Sequence, residues 1–137
     1  MEHQLVIYVG EDERVFRELE CQLEPRGYEL EWFDNATPIA EERLCNWQRL
    51  LIIDADLTTA AGLELLQSVK ARDMGTPVIV VTDNKTLTNV GVARLNGADA
   101  LFFKPFSDFE SVLEVIETAF FRLDYWCHVS RERATPI

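Results

Sequence analysis

The sequence contains no apolar run long enough to cross a membrane. Its longest apolar stretches, such as residues 50–53 and 78–81, are far shorter than the roughly 20 residues that a transmembrane helix needs. The opening residues MEHQLVIYVG lack a basic region followed by an apolar stretch of signal length. We therefore expect a chain that does not enter a membrane and that works in the cytoplasm.

The chain also lacks paired cysteines and an excess of basic charge. Cys21, Cys45 and Cys127 form no C-x-x-C pair, which predicts free thiols instead of a disulfide framework or a zinc site. A net charge of −11 repels a phosphate backbone and argues against direct binding of nucleic acid. A length of 137 residues with 47% hydrophobic content suits one domain.

Strand patterns alternate with helix patterns along the whole chain. We expect strands at 4–9, 28–33, 50–54, 77–82 and 100–103, and helices over 15–24, from Thr37, over 63–72, over 88–96, and from a capping box formed by Ser107 and Glu110. This order predicts an α/β fold, a doubly wound five-stranded parallel sheet with five helices. We assign residues 1–122 to this domain. Residues 123–137 would form a C-terminal helix extension or a linker to an effector domain outside this chain.

Polar residues follow the predicted strands, and in such sheets ligands bind at the carboxyl ends of the strands. The residues at these ends are Gly10, Glu11, Asp12, Asp54, Asp56, Thr82, Asp83 and Lys104. Carboxylates, a hydroxyl and an ammonium at one edge are suited to phosphoryl transfer onto a carboxylate. Glu11 and Asp54 offer the hard oxygen ligands that Mg²⁺ prefers, and Lys104 and Thr82 can stabilise a transferred phosphoryl group.

The ordered set of motifs over residues 5–120 resembles the receiver domain of two-component response regulators. Asp54 is followed by Gly62 eight positions later, Thr82 closes VIVVT, and Lys104 precedes Pro105 in NGADALFFKPF. The resemblance implies a flavodoxin-like fold. It also implies that Asp54 is the phosphoacceptor, that Thr82 and Lys104 contact the phosphoryl group, and that the bond before Pro105 is cis.

The same resemblance implies a cofactor and partners. Mg²⁺ would be held by Glu11, Asp54 and the backbone carbonyl of Asp56, with Asp12 as a further candidate. The phosphoryl group would come from a histidine kinase or a phosphotransfer protein, and the domain would act as a switch with at most slow self-phosphorylation and self-dephosphorylation. Output would pass to a homodimer through the fourth and fifth helices, or to a C-terminal effector domain.

Several positions depart from the family pattern. Gly10 replaces the first member of the acidic pair, which should weaken magnesium binding, and Leu101 stands where the family has an aromatic switch residue. Asp83 follows Thr82 in place of a small residue, and its charge would crowd a phosphoryl group. These departures leave open an alternative, a receiver-like module (a pseudo-receiver) that dimerises or docks without phosphorylation.

A second alternative comes from the stretch DADLT. Haloacid-dehalogenase-like phosphatases carry Asp-x-Asp-x-Thr after a strand, and Asp54 and Asp56 look like their nucleophile and general acid, with Thr82 and Lys104 as later motifs. That family also needs an acidic metal-binding motif on a strand further along the chain. Only a helix pattern follows Lys104, so we consider this the more remote alternative.

Overall fold

The computed structural model describes residues 3–34, 47–72 and 75–132. It contains five strands, β1 (His3–Val9), β2 (Glu29–Phe33), β3 (Trp47–Asp54), β4 (Val78–Thr82) and β5 (Ala100–Phe103), and four α-helices in the described ranges, α1 (Glu13–Leu23), α2 (Ala60–Arg72), α3 (Leu87–Leu95) and α4 (Phe109–Glu132). A short 3₁₀ turn, Glu24–Arg26, follows α1 and ends at Gly27, which has the positive φ that glycine tolerates. The helix predicted from Thr37 lies outside the described residues.

All five strands form one parallel sheet in the order β2-β1-β3-β4-β5. The register pairs Val9 with both Phe33 and Ile53, and Asp54 with Val81, so the strands end at a common edge. The predicted α/β class and the predicted parallel sheet are confirmed. The strand order reverses between β1 and β3, which places the predicted site at the position where such sheets bind ligands.

Helices cover both faces of the sheet, as a doubly wound fold requires. On one face, alternate residues of β1, β3 and β4 pack against α1 and α4, where Leu19, Ile116 and Phe120 are almost fully buried. The intervening residues of these strands point to the other face and pack on the side of α2 and α3, where Leu66 and Ala93 are buried. Because both faces are covered, the central strands read as continuous apolar runs.

The described helices start one to three residues away from the predicted positions, and hydrogen bonds at two of these starts show why. Helix α2 begins at Ala60, three residues before the predicted start, because the Thr59 hydroxyl accepts the Gly62 N–H and caps the first turn. The predicted capping box at Ser107 is wrong, since the carboxylate of Asp108 accepts the Glu110 N–H at 3.0 Å. Helix α4 then continues through Arg122, the predicted end of the domain, to Glu132. None of the described helices is both long and apolar enough to cross a membrane.

Candidate functional site

Three of the predicted site residues meet in one cluster at the carboxyl edge of the sheet. The Nζ of Lys104 lies 2.8 Å from Oδ2 of Asp54 and 3.0 Å from Oδ2 of Asp12. The Asp54 and Lys104 side chains are only 10% and 18% exposed, so this ion pair is shielded from solvent. The bond preceding Pro105 is cis, as predicted.

The charges in this cluster stabilise one another. The hydrogen bond from Lys104 holds the pKa of Asp12 below its usual range, although partial burial opposes this shift. Burial alone would lower the pKa of Lys104, but its hydrogen bonds to Asp54 and Asp12 outweigh burial and raise it. Lys104 therefore stays protonated and remains a cation beside Asp54.

A fourth member of the cluster, Tyr8, was not predicted from the sequence. Its hydroxyl donates to Oδ2 of Asp54 at 2.7 Å and accepts the backbone N–H of Asp12 at 3.1 Å. Burial, reinforced by the hydrogen bond to Asp54, raises the pKa of this phenol, so it is a neutral donor. The sequence offers one signal for this role, the position of Tyr8 in a buried strand two residues before Gly10. A buried tyrosine hydroxyl needs a hydrogen-bond partner.

Gly10 sits against this tyrosine and has no room for a side chain. A Cβ at this position would lie 2.6 Å from Cβ of Asp54 and 2.7 Å from the Tyr8 hydroxyl oxygen. The backbone is also fixed, because its N–H donates to the Phe33 carbonyl and its own carbonyl accepts the Trp32 indole N–H at 2.7 Å. The departure from the family pattern at Gly10 therefore goes with the close approach of both Asp54 and Tyr8.

The cluster opens into a cleft of about 880 Å³. Glu11 lines this cleft together with Asp12 and Asp54, and its side chain is exposed. Asp12 has a structural role as well, because its Oδ1 accepts the Arg14 N–H and caps α1. Thus three of the predicted acidic residues, Glu11, Asp12 and Asp54, line one cleft, although Asp12 is held by Lys104 and by the helix start.

Asp56 lies in a separate polar network from Asp54. Its carboxylate accepts hydrogen bonds from the Thr58 hydroxyl at 2.7 Å, from the Thr58 N–H, and from the side-chain amides of Asn84 and Asn89. These bonds, those of Thr58 first, lower the pKa of Asp56. Its backbone carbonyl accepts both the N–H and the hydroxyl of Thr59, so both lone pairs of that oxygen are engaged.

Thr82 joins this second network at the end of β4. It is buried, and its hydroxyl oxygen accepts the Asn84 N–H at 3.2 Å and lies 3.5 Å from the Asn89 side-chain amide. Asn89 was not singled out from the sequence, because a polar residue in a helix pattern carries no sign of burial. Asp83 is exposed and lines a smaller cleft beside Lys104, which places its charge near the site.

The switch position is occupied by an aliphatic residue of the sheet. Leu101 lies in β5 and packs against the apolar cluster on the α2 and α3 side of the sheet. An aliphatic side chain there offers no ring whose rotation Thr82 could control. Any coupling between Thr82 and the helical surface has to use other contacts, and Asn89 on α3 is in contact with Thr82 already.

The carboxylate oxygens in the cleft are the ligand type that Mg²⁺ prefers, but they do not form a preassembled metal site. Asp54 Oδ2 accepts bonds from Tyr8 and Lys104, and the Asp56 carbonyl is taken by Thr59. Within the described ranges, no three Asp, Glu, His or Cys side chains form a group that could hold a metal ion. Glu11, Asp12 and Asp54 thus offer the oxygen ligands that Mg²⁺ prefers, and binding through Oδ2 of Asp54 has to displace Tyr8 or Lys104.

Comparison with known proteins decides the family. The family model described as "response regulator receiver domain" matches residues 6–117. The chain belongs to this family. Receiver domains of response regulators are regulatory domains of two-component systems and not classical enzymes, and they generally bind Mg²⁺ at the phosphorylation site.

Among curated proteins, this receiver domain is 31% identical over 109 residues to the response regulator ArlR of Staphylococcus saprophyticus, covering 79% of the chain and 48% of ArlR. It is 29% identical over 119 residues to the transcriptional regulatory protein YkoG of Bacillus subtilis, covering 87% of the chain and 52% of YkoG. The chain thus spans about half the length of these relatives.

Solved structures support the same fold. A signal receiver domain of an HD domain-containing protein from Pseudomonas fluorescens superposes with a TM-score of 0.75 at 23% identity, covering 98% of this chain and 96% of that one. FixJ-N superposes with a TM-score of 0.68 at 25% identity, covering 87% and 94%. The first of these likenesses shows the fold alone.

Proposed function

We propose that this receiver domain accepts a phosphoryl group on Asp54 from a histidine kinase or a phosphotransfer protein. The observation that carries the proposal is the shielded pair of Asp54 and Lys104 at the end of β3, 2.8 Å apart, beside the end of β4 where Thr82 lies. A carboxylate next to a fixed cation provides both an acceptor and a partner for the phosphoryl charge.

The chemistry follows from the residues of the chain. A carboxylate oxygen of Asp54 forms the new bond to phosphorus while the bond from phosphorus to the donor's leaving atom breaks. Lys104 then pairs with the phosphoryl oxygens, for which it must give up part of its contact with Asp54 and Asp12. The Thr82 hydroxyl is the neighbouring donor, since Asn84 and Asn89 donate to its oxygen and these bonds do not use its hydrogen.

Magnesium binding in this chain is part of the proposal. We propose Glu11 and Asp54 as its main donors, with Asp12 as a further candidate, and the Asp56 carbonyl as another once Thr59 releases it. We expect a low affinity because Gly10 replaces a carboxylate. When bound, the ion supplies positive charge to the transferred group. Self-phosphorylation from small donors and self-dephosphorylation would be slow.

The output proposed for the switch lies on α3 and α4. Exposed apolar residues stand on these helices, Leu87, Val90 and Leu95 on α3 and Phe121, Tyr125 and Trp126 on α4. We propose that phosphorylation changes self-association or partner contact through these two helices. The match covers only 48% of ArlR and 52% of YkoG. We therefore propose residues 1–122 as the receiver and 123–137 as a connection to an effector domain. We also propose a cytoplasmic location.

A second candidate is the phosphorylation-independent docking module. The observation in its favour is that Asp54 Oδ2 is already occupied by the Tyr8 hydroxyl and the Lys104 ammonium, an arrangement that satisfies the carboxylate without a phosphoryl group. In that case α3 and α4 would bind their partner constitutively.

One experiment separates the two candidates. The molar mass in solution is measured by light scattering for the wild type and for Asp54→Asn, with and without a small-molecule phosphodonor and Mg²⁺. The switch predicts a donor-dependent change in association that only the wild type shows. Identical association of both proteins under all conditions would support the docking module and contradict the switch.

A further inference from the structure

The Tyr8 side chain is placed so that only its hydroxyl reaches the site. Its ring is fully buried and lies edge-on to Trp32 at 5.9 Å and tilted against Phe16 at 6.2 Å. Packing fixes the ring, so the hydroxyl is held against Asp54 and cannot swing away without disturbing the core. The phenol is therefore a preorganised donor to the proposed phosphoacceptor.

Tyr8 and a side chain at position 10 exclude one another. Any Cβ on residue 10 would meet the Tyr8 hydroxyl oxygen at 2.7 Å and the ring carbon that carries it at 2.9 Å. Where the family pattern places a carboxylate beside the phosphoacceptor, this chain has a neutral donor bonded to that phosphoacceptor. Both changes, a lost negative charge and an added donor on Asp54, weaken the attraction of the site for a divalent cation.

We propose that Tyr8 is a positioning residue that holds the Asp54 carboxylate in its metal-free arrangement and thereby sets the magnesium affinity of the site. The inference rests on the proposed function in taking Asp54 as the metal-binding phosphoacceptor. A cation that binds Asp54 Oδ2 competes with the Tyr8 hydroxyl and with Lys104. Removing the hydroxyl removes one of these two competitors and leaves the carboxylate in place.

The variant that tests this is Tyr8→Phe, which keeps the ring that packs on Phe16 and Trp32. Mg²⁺ alone is titrated into the phosphodonor-free protein and followed by tryptophan fluorescence, since the Trp32 indole is bonded to the Gly10 carbonyl at the site. We expect about tenfold tighter Mg²⁺ binding than in the wild type, the effect of removing one hydrogen bond to a charged group. The matched control is Tyr28→Phe, because Tyr28 is a partly buried tyrosine that packs on Phe120, away from the site.

A second pair of variants tests whether the effect passes through Asp54. The gain from Tyr8→Phe should disappear in the Asp54→Asn background, since the two residues interact directly. Equal Mg²⁺ affinity in the wild type, Tyr8→Phe and Tyr28→Phe, or a gain that persists without the Asp54 carboxylate, would overturn the inference.

The same proteins separate this inference from the proposed function. If Tyr8→Phe binds Mg²⁺ more tightly but neither protein is phosphorylated, the positioning role stands and phosphoryl acceptance fails. If the wild type is phosphorylated and Tyr8→Phe differs from it neither in Mg²⁺ affinity nor in rate, phosphoryl acceptance stands and the positioning role fails.

Discussion

The side-chain amide of Asn89 donates to the carboxylate of Asp56 at 3.2 Å and so ties α3 to the loop that follows β3. Asn89 is fully buried, and its side-chain oxygen accepts the Leu57 N–H at 2.9 Å. The same amide nitrogen contacts the Thr82 hydroxyl and the Asn84 carbonyl. One side chain therefore connects the loops that follow β3 and β4.

Asn89→Ala should destabilise the fold by about 2–3 kcal/mol, because it leaves the Leu57 N–H and several polar groups of the two loops without their partner. The free energy of unfolding is measured by urea denaturation. Thr88→Ala, the exposed neighbour in the same helix, is the control and should change stability by less than about 0.5 kcal/mol. A change as small as that control in Asn89→Ala would show that the two loops do not depend on this residue.

Gly10→Ala should destabilise the fold by about 1–3 kcal/mol, the cost of inserting a methyl group into a filled space. Its Cβ would overlap with Asp54 Cβ and with the Tyr8 hydroxyl. Thermal unfolding is the measurement, with Gly91→Ala as the control, because a Cβ there meets nothing within 4 Å and alanine favours the helix. If Gly10→Ala were as stable as the wild type, the close contact of Tyr8 with residue 10 would be refuted.

Lys104→Met should slow phosphorylation by a small donor by at least about a hundredfold, as loss of one preorganised partner of the developing charge commonly does. The comparison is with Lys70→Met, a lysine that pairs with Asp99 and the Thr76 carbonyl outside the site. Initial rates of adduct formation are measured by mass spectrometry. Similar rates for both variants would mean that Lys104 does not act on the phosphoryl group.

Much of the fold could be predicted because burial on both faces leaves a direct mark on the sequence. The apolar runs of β1, β3 and β4 and the helix signals between them fix the order of elements, and parallel strands bring Asp54 and Lys104 to one edge. The pairing of these two residues follows from topology and needs no knowledge of side-chain packing.

The parts that could not be predicted depend on where side chains reach. Tyr8 reads as a core residue of β1, and only the packed structure shows that its hydroxyl extends to Asp54. The same holds for Asp108, which caps α4 one position beyond Ser107, since neighbouring cap residues differ by local backbone geometry. Thus the sequence predicts which edge of the sheet carries Asp54 and Lys104. Only the structure shows the side-chain contacts that change the environment of Asp54.

The measurement that tests the central claim most directly is the intact mass of the wild type and Asp54→Asn after incubation with a small-molecule phosphodonor and Mg²⁺. The account predicts one alkali-labile phosphoryl adduct on the wild type, dependent on Mg²⁺, and none on Asp54→Asn. A folded wild type that gains no adduct at any magnesium concentration, or an adduct that persists in Asp54→Asn, would contradict phosphoryl acceptance at Asp54.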